Sequence, residues 1–241
     1  DLQLMARNDI GVLGEMMNYP GVLNGDPEVM RKLRAAQAAG KPVDGHAPGL
    51  VGHERQQYAL AGITTDHECA TLDEGRACIS AGMKVIIREG SAAKDFDKLS
   101  PLISESPNMV MLCTDDCHPD DLIRGHINLI VKRAMAQGHD LWNVIMAASI
   151  NAQRHYGLQW GSLQQGDMAN FIAVDTLNAH FRVLQTVIRG TLVYDCNTTF
   201  GSLLPSIHND ANGTYEYPNK FVASPLKAED IHHPLGPRPL P

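Results

Sequence analysis

The feature that most constrains the fold is a repeated unit: a short apolar segment, then an ionisable residue, then a helical stretch. Residues 10–13 run into Gly14-Glu15, residues 41–46 end at His46, and residues 63–67 end at His67. Residues 84–89 end at Glu89, and residues 109–113 run into Thr114-Asp115-Asp116. The intervals between these endings are 31, 21, 22 and 26 residues, each long enough for one helix and its turns. Short apolar strands alternating with helices predict parallel pairing through right-handed crossovers. In a closed barrel of such units, the residues at the strand C-termini converge on one mouth. The period therefore gathers Glu15, His46, His67, Glu89 and Asp115.

Local signals mark the helices. Asp26 caps a helix that opens on Pro27 and closes at Gly40, and a second runs from about residue 53 to 61 before Gly62. Thr71 with Glu74 forms a capping box for a third, which ends at Gly82. Residues 119–156 read as helical, with Gly157 as the stop. Three β-rich segments follow, 169–175, 181–189 and 191–195, joined by short turns. Beyond Cys196 turn formers dominate, and the last residues are rich in proline. The expected organisation is a barrel segment over 1–157, small-domain strands over 158–196, and an extended linker or the start of a further domain over 197–241.

Composition removes several classes of function. The net charge of −7 gives no electrostatic footprint for nucleic acid or an anionic membrane. No apolar run approaches the roughly 18 residues of a membrane span, and no signal-peptide pattern opens the chain. Five cysteines without paired spacings fit a reducing, cytoplasmic setting better than a disulfide scaffold. Cys113 and Cys117 lack the second pair that a structural zinc site needs. Histidine, by contrast, occurs 11 times. Two imidazoles and two carboxylates at one barrel mouth suit zinc, manganese or iron as divalent ions.

Gly45-His46-Ala47-Pro48-Gly49-Leu50, Asp66-His67-Glu68, Ile87-Arg88-Glu89-Gly90-Ser91 and Cys113-Thr114-Asp115-Asp116 resemble the barrel motifs of the bacterial adenine deaminase family, in the amidohydrolase superfamily. Gly14-Glu15-Met16-Met17 resembles the family's strand-4 segment. Asn151-Ala152, the run from Gly166 to Asp175, and Ile188-Arg189-Gly190-Thr191-Leu192-Val193-Tyr194 resemble the return into its small β-domain. The resemblance implies an α/β fold, a partial TIM (β/α)8 barrel of strands 4–8 with a small β-sandwich segment. It also implies hydrolysis of adenine to hypoxanthine and ammonia at a binuclear centre. Glu15, His46, His67 and Asp115 then take the positions of metal ligands, and Asp115 also carries the proton. Glu89 becomes a second catalytic candidate; Arg88, Glu89 and Ser91 become contacts to the purine, with Asp116 and His118 behind Asp115. The superfamily's strand-1 His-x-His pair is absent from these 241 residues. The expectation is a segment of a longer enzyme, inactive alone, with exposed strand edges that favour homo-oligomers. Two alternatives remain at this stage, an amidohydrolase of cyclic amides and a non-catalytic partial barrel assembling with other subunits.

Overall fold

The computed structural model describes residues 2–198; the expectation of an extended linker from 199 onward lies outside the described residues. Five short parallel strands come first, β1 (Leu13–Met16), β2 (Val43–Gly45), β3 (Thr65–Asp66), β4 (Lys84–Arg88) and β5 (Val110–Cys113). All five expected units are present, each followed by helix. The Pro27–Ala38 helix starts where Asp26 Oδ1 accepts the N–H groups of Glu28 and Val29 at 2.9 and 3.0 Å. Its buried stripe is Val29, Leu33 and Ala36, the spacing of one helix face. The Leu72–Ser80 helix opens on the reciprocal Thr71–Glu74 capping box.

The strands form two ladders rather than one. β1 pairs with β2, with Leu13 opposite Val43 and Met16 opposite Gly45. β3, β4 and β5 form the second sheet, in that order, with Arg88 opposite Cys113. Where β2 meets β3, threonine side chains interrupt regular pairing. The Thr64 amide and hydroxyl both donate to the Val43 carbonyl at 2.9 Å, and the Gly45 amide donates to Thr65 Oγ1 at 3.3 Å. Gly45 is required at this seam, because a Cβ there would lie 2.3 Å from the Thr65 carbonyl oxygen. Among the described residues, β1 has no strand partner on its other side.

Residues 119–156 are not one helical run. They form helices Pro119–Leu122, Ile127–Ala136, Leu141–Ile145 and Asn151–Tyr156, with a π-helical turn over Met146–Ile150. Gly125 and Gly138 break the run with positive φ of 149° and 84°, and Gly157 ends it in the left-handed conformation. The later strands β6 (Phe171–Val174), β7 (Val183–Ile188) and β8 (Thr191–Asp195) make one antiparallel three-stranded sheet. No helix among the described residues is long and apolar enough to cross a membrane.

His155 gives a stability prediction with a definite sign. Burial holds its ring below the ordinary histidine pKa. The ring packs edge-on against Tyr156, with Nε2 3.2 Å from the Thr64 hydroxyl. A folded pKa below the unfolded value of about 6.5 means that folding favours the neutral ring. That stability is fully present above about pH 6.5 and is lost as pH falls through the depressed folded value. The unfolding midpoint should therefore drop more steeply on acidification in the native protein than in His155→Gln. Parallel curves would remove His155 from the account.

Candidate metal centre

Three of the five strand ends meet at one place. His46 follows β2 and His67 follows β3, and their rings meet edge to face with Nδ1 of His46 3.1 Å from Nε2 of His67. Glu15, on β1, places Oε2 3.4 Å from His46 Nδ1 and 4.0 Å from His67 Nε2. One donor atom from each of Glu15, His46 and His67 lies within 4.8 Å of the others. Two nitrogens 3.1 Å apart can both reach one ion at the ~2.0–2.1 Å typical of zinc–imidazole bonds. Two imidazoles with a carboxylate are also the donor set that zinc, manganese and iron accept. The residues fit such an ion.

A buried network fixes the loops that carry these groups. Tyr58, fully buried, accepts the His46 amide at 3.1 Å and donates to the Met16 carbonyl at 2.7 Å, which ties β1 to the end of β2. Burial raises its phenol pKa well above the usual value, so it stays a donor. Asp66 Oδ1 accepts the amides of Ala47 and Glu68 at 3.3 and 3.0 Å, one beside each histidine. Its other oxygen pairs with Arg55, which also donates to the Leu50 carbonyl at 2.8 Å. Arg55 and Asp66 are 1% and 0% exposed. Removing one partner of such a pair strands a buried charge and costs about 3–5 kcal/mol. Arg55→Met should lower unfolding stability by that order in chemical denaturation. A loss under ~1 kcal/mol, the range of a solvent-exposed pair, would show that water reaches Asp66.

The other expected site residues divide between two neighbourhoods. Asp115 follows β5 in a left-handed conformation, φ 57°, and its Oδ2 accepts from Arg88 Nη1 at 3.2 Å. Arg88 ends β4 and also pairs with Glu68 and Asp95. Burial opposes its charge, but Glu68 and Asp115 more than offset that, and its pKa is raised. Glu89 is turned away from this group. Successive strand residues face opposite sides, so Arg88 and Glu89 cannot both face the mouth. Glu89 instead accepts from Arg133 Nη1 at 2.5 Å and from the Phe96 amide at 3.2 Å, which anchors β4 to the Ile127–Ala136 helix.

Ser91 is used within the loops. It donates to Asp121 Oδ2 at 2.5 Å and accepts the His118 amide at 2.9 Å, while its own amide donates to the Asp116 carbonyl. Asp116 and His118 are exposed, and the His118 ring lies toward Asp120 at 3.9 Å. The loops that carry His46 and His67 are backed by Arg55, Tyr58 and Asp66. Gly90 lets the two loops meet, since a Cβ there would sit 1.9 Å from the Thr114 carbonyl oxygen. Burial pushes the Cys113 thiol up to about 12, so it is inert at neutral pH. Sequence reasoning assigns no role to Glu68, whose carboxylate lies 3.3 Å from His46 Nδ1.

The amidohydrolase family model matches residues 3–193. The chain belongs to the amidohydrolase family. This amidohydrolase is 47% identical over 233 residues to a protein named adenine deaminase from Salinibacter ruber, a match covering 97% of the chain and 41% of that relative. It is 52% identical over 193 residues to one so named from Parabacteroides distasonis, covering 80% and 35%. The chain thus spans about two fifths of the curated relatives' length. Among solved structures, a β-aspartyl dipeptidase from Fervidobacterium islandicum superposes with TM-score 0.62 at 14% identity, covering 81% of this chain and 59% of that one. An N-acetyl-D-glucosamine-6-phosphate deacetylase from Mycobacterium smegmatis gives 0.59 at 15%, covering 78% and 55%. At that identity the likeness speaks for the fold alone, an α/β architecture of the amidohydrolase type.

Proposed function

We propose that this chain supplies strands 4–8 of an amidohydrolase barrel and the start of its small β-domain, and that the whole protein hydrolyses adenine to hypoxanthine and ammonia. The observation that carries the reading is the meeting of His46, His67 and Glu15 from three strand ends, in a chain about half identical to proteins named adenine deaminase. Glu15, His46, His67 and Asp115 would hold divalent manganese, iron or zinc in the binuclear centre expected of the whole protein. Such an ion supplies Lewis acidity, which makes water a nucleophile near neutral pH.

The chain's own residues do the rest. Arg88 occupies Oδ2 of Asp115, which leaves Oδ1 open. In this reading Oδ1 takes a proton from the attacking water and returns it to the amino nitrogen as that group leaves C6 of the purine. Asp115 is suited to both halves because its side chain is 27% exposed yet held by the guanidinium. Supporting the substrate is the relatives' shared name; supporting the chemistry is the donor set.

The direct test is to incubate the metal-loaded full-length protein with adenine and, separately, with hydantoin and dihydrouracil. Hypoxanthine and ammonia appearing in equal amounts from adenine alone is the expected result. Ring opening of a cyclic amide without adenine turnover would overturn the assignment.

A further inference from the structure

Glu68 follows His67 directly, and its side chain is only 12% exposed. Its Oε1 lies 3.3 Å from Nδ1 of His46 and 3.6 Å from Nε2 of His67, the same two nitrogens that face Glu15. Glu68 is thus a second carboxylate at this pair of nitrogens, beside Glu15. The Glu68 carboxylate is in turn gripped by Arg88, with Nη1 2.5 Å from Oε1 and Nη2 3.1 Å from Oε2.

Arg88 is itself shared. Nη1 also donates to Asp115 Oδ2 at 3.2 Å, and Nη2 donates to Asp95 Oδ2 at 3.4 Å. Both terminal nitrogens are therefore committed to carboxylates. The Arg88 Nε is the one buried side-chain nitrogen or oxygen among the described residues without a partner. Topology accounts for the arrangement, since β3, β4 and β5 are consecutive in one sheet and end beside one another. Glu68, Arg88 and Asp115 come from those three ends. A rigid planar guanidinium can span two carboxylates that a lysine ammonium cannot hold in the same geometry.

We propose that Glu68 and Arg88 are positioning residues: an ion-paired bridge that holds the His46–His67 pair and Asp115 in one frame, with Arg88 acting as a tether rather than as a donor to the purine. The inference rests on the metal-site reading above, but not on adenine as the substrate. Removing Glu68 takes a carboxylate from beside the imidazole pair and leaves Arg88 without its partner there. Removing Arg88 frees both Glu68 and Asp115. The two losses act through one connection, so their effects should be coupled rather than additive.

The test uses the full-length protein as wild type, Glu68→Gln, Arg88→Met, Arg88→Lys and the Glu68→Gln/Arg88→Met double variant. Calorimetric titration of each metal-free protein with Mn2+ gives affinity, steady-state kinetics gives kcat and KM, and metal-free unfolding reports the fold. Each of the first two variants should weaken Mn2+ binding by about 10–100-fold, the range for groups that orient metal ligands. The double variant should be little worse than the weaker single. Arg88→Lys should recover most of the affinity but not kcat, because lysine can hold Glu68 while releasing Asp115.

Wild-type Mn2+ affinity in Arg88→Met, with only KM raised, would make Arg88 a substrate donor and overturn the bridge. Additive losses in the double variant would overturn it as well. Should Arg88→Met fail to fold, Glu68→Gln decides: unchanged Mn2+ affinity refutes the proposal. If the wild type binds Mn2+ with the expected coupling yet leaves adenine untouched, the bridge stands and the substrate reading falls.

Discussion

Asp115→Asn is expected to lower kcat by about 10²–10⁴-fold, the range for removing a general acid–base group. The substitution keeps the shape of the side chain, and the amide oxygen it introduces would still accept from Arg88, so core volume and the backbone are unaffected. What disappears is an oxygen able to take up a proton. The Asp115 side chain is partly exposed in a loop beyond β5, so the unfolding midpoint should move little. The check is kcat at saturating metal and substrate, with bound metal measured in the same sample. Wild-type turnover in a metal-loaded Asp115→Asn protein would move the proton to another group.

His67→Ala is expected to weaken metal binding beyond the roughly 100-fold that loss of an orienting group causes, because it removes a donor atom itself. His67 is the more buried of the two imidazoles, with a side chain 8% exposed against 23% for His46. Burial limits the replacement of its nitrogen by water, so His67→Ala should lose more affinity than Glu15→Gln, whose side chain is 47% exposed. Turnover should fall in step with bound metal and should not return on adding excess ion at concentrations that saturate the wild type. Equal metal content in His67→Ala and wild type would place the ion elsewhere.

Much of the fold is readable from short-range chemistry. Asp26-Pro27 and Thr71…Glu74 satisfy helix N-termini within a few residues, so their signals are complete in the local sequence. The strand endings are equally visible, because an apolar run stopping at His46 or His67 needs no distant information. What the sequence does not show depends on partners far apart along the chain. Nothing in its local sequence marks Arg55 for burial, and its pairing with Asp66 lies 11 positions away. Glu68 stands beside a strong candidate, but its function-bearing neighbour is Arg88, 20 residues on. Glu89 earns a place at the mouth by ending its strand, yet the alternation of side chains on β4 turns it toward Arg133. The helical reading of 119–156 misses Gly125 and Gly138 as breaks because the flanking residues keep a helical pattern.

The most direct test of the metal centre is anomalous diffraction from crystals of the full-length protein grown with Mn2+, recorded on both sides of the manganese absorption edge. The account predicts a peak between His46 Nδ1, His67 Nε2 and a Glu15 oxygen, within bonding reach of all three. A fully loaded crystal with no peak between these three side chains, or with the two imidazoles turned apart, would contradict it.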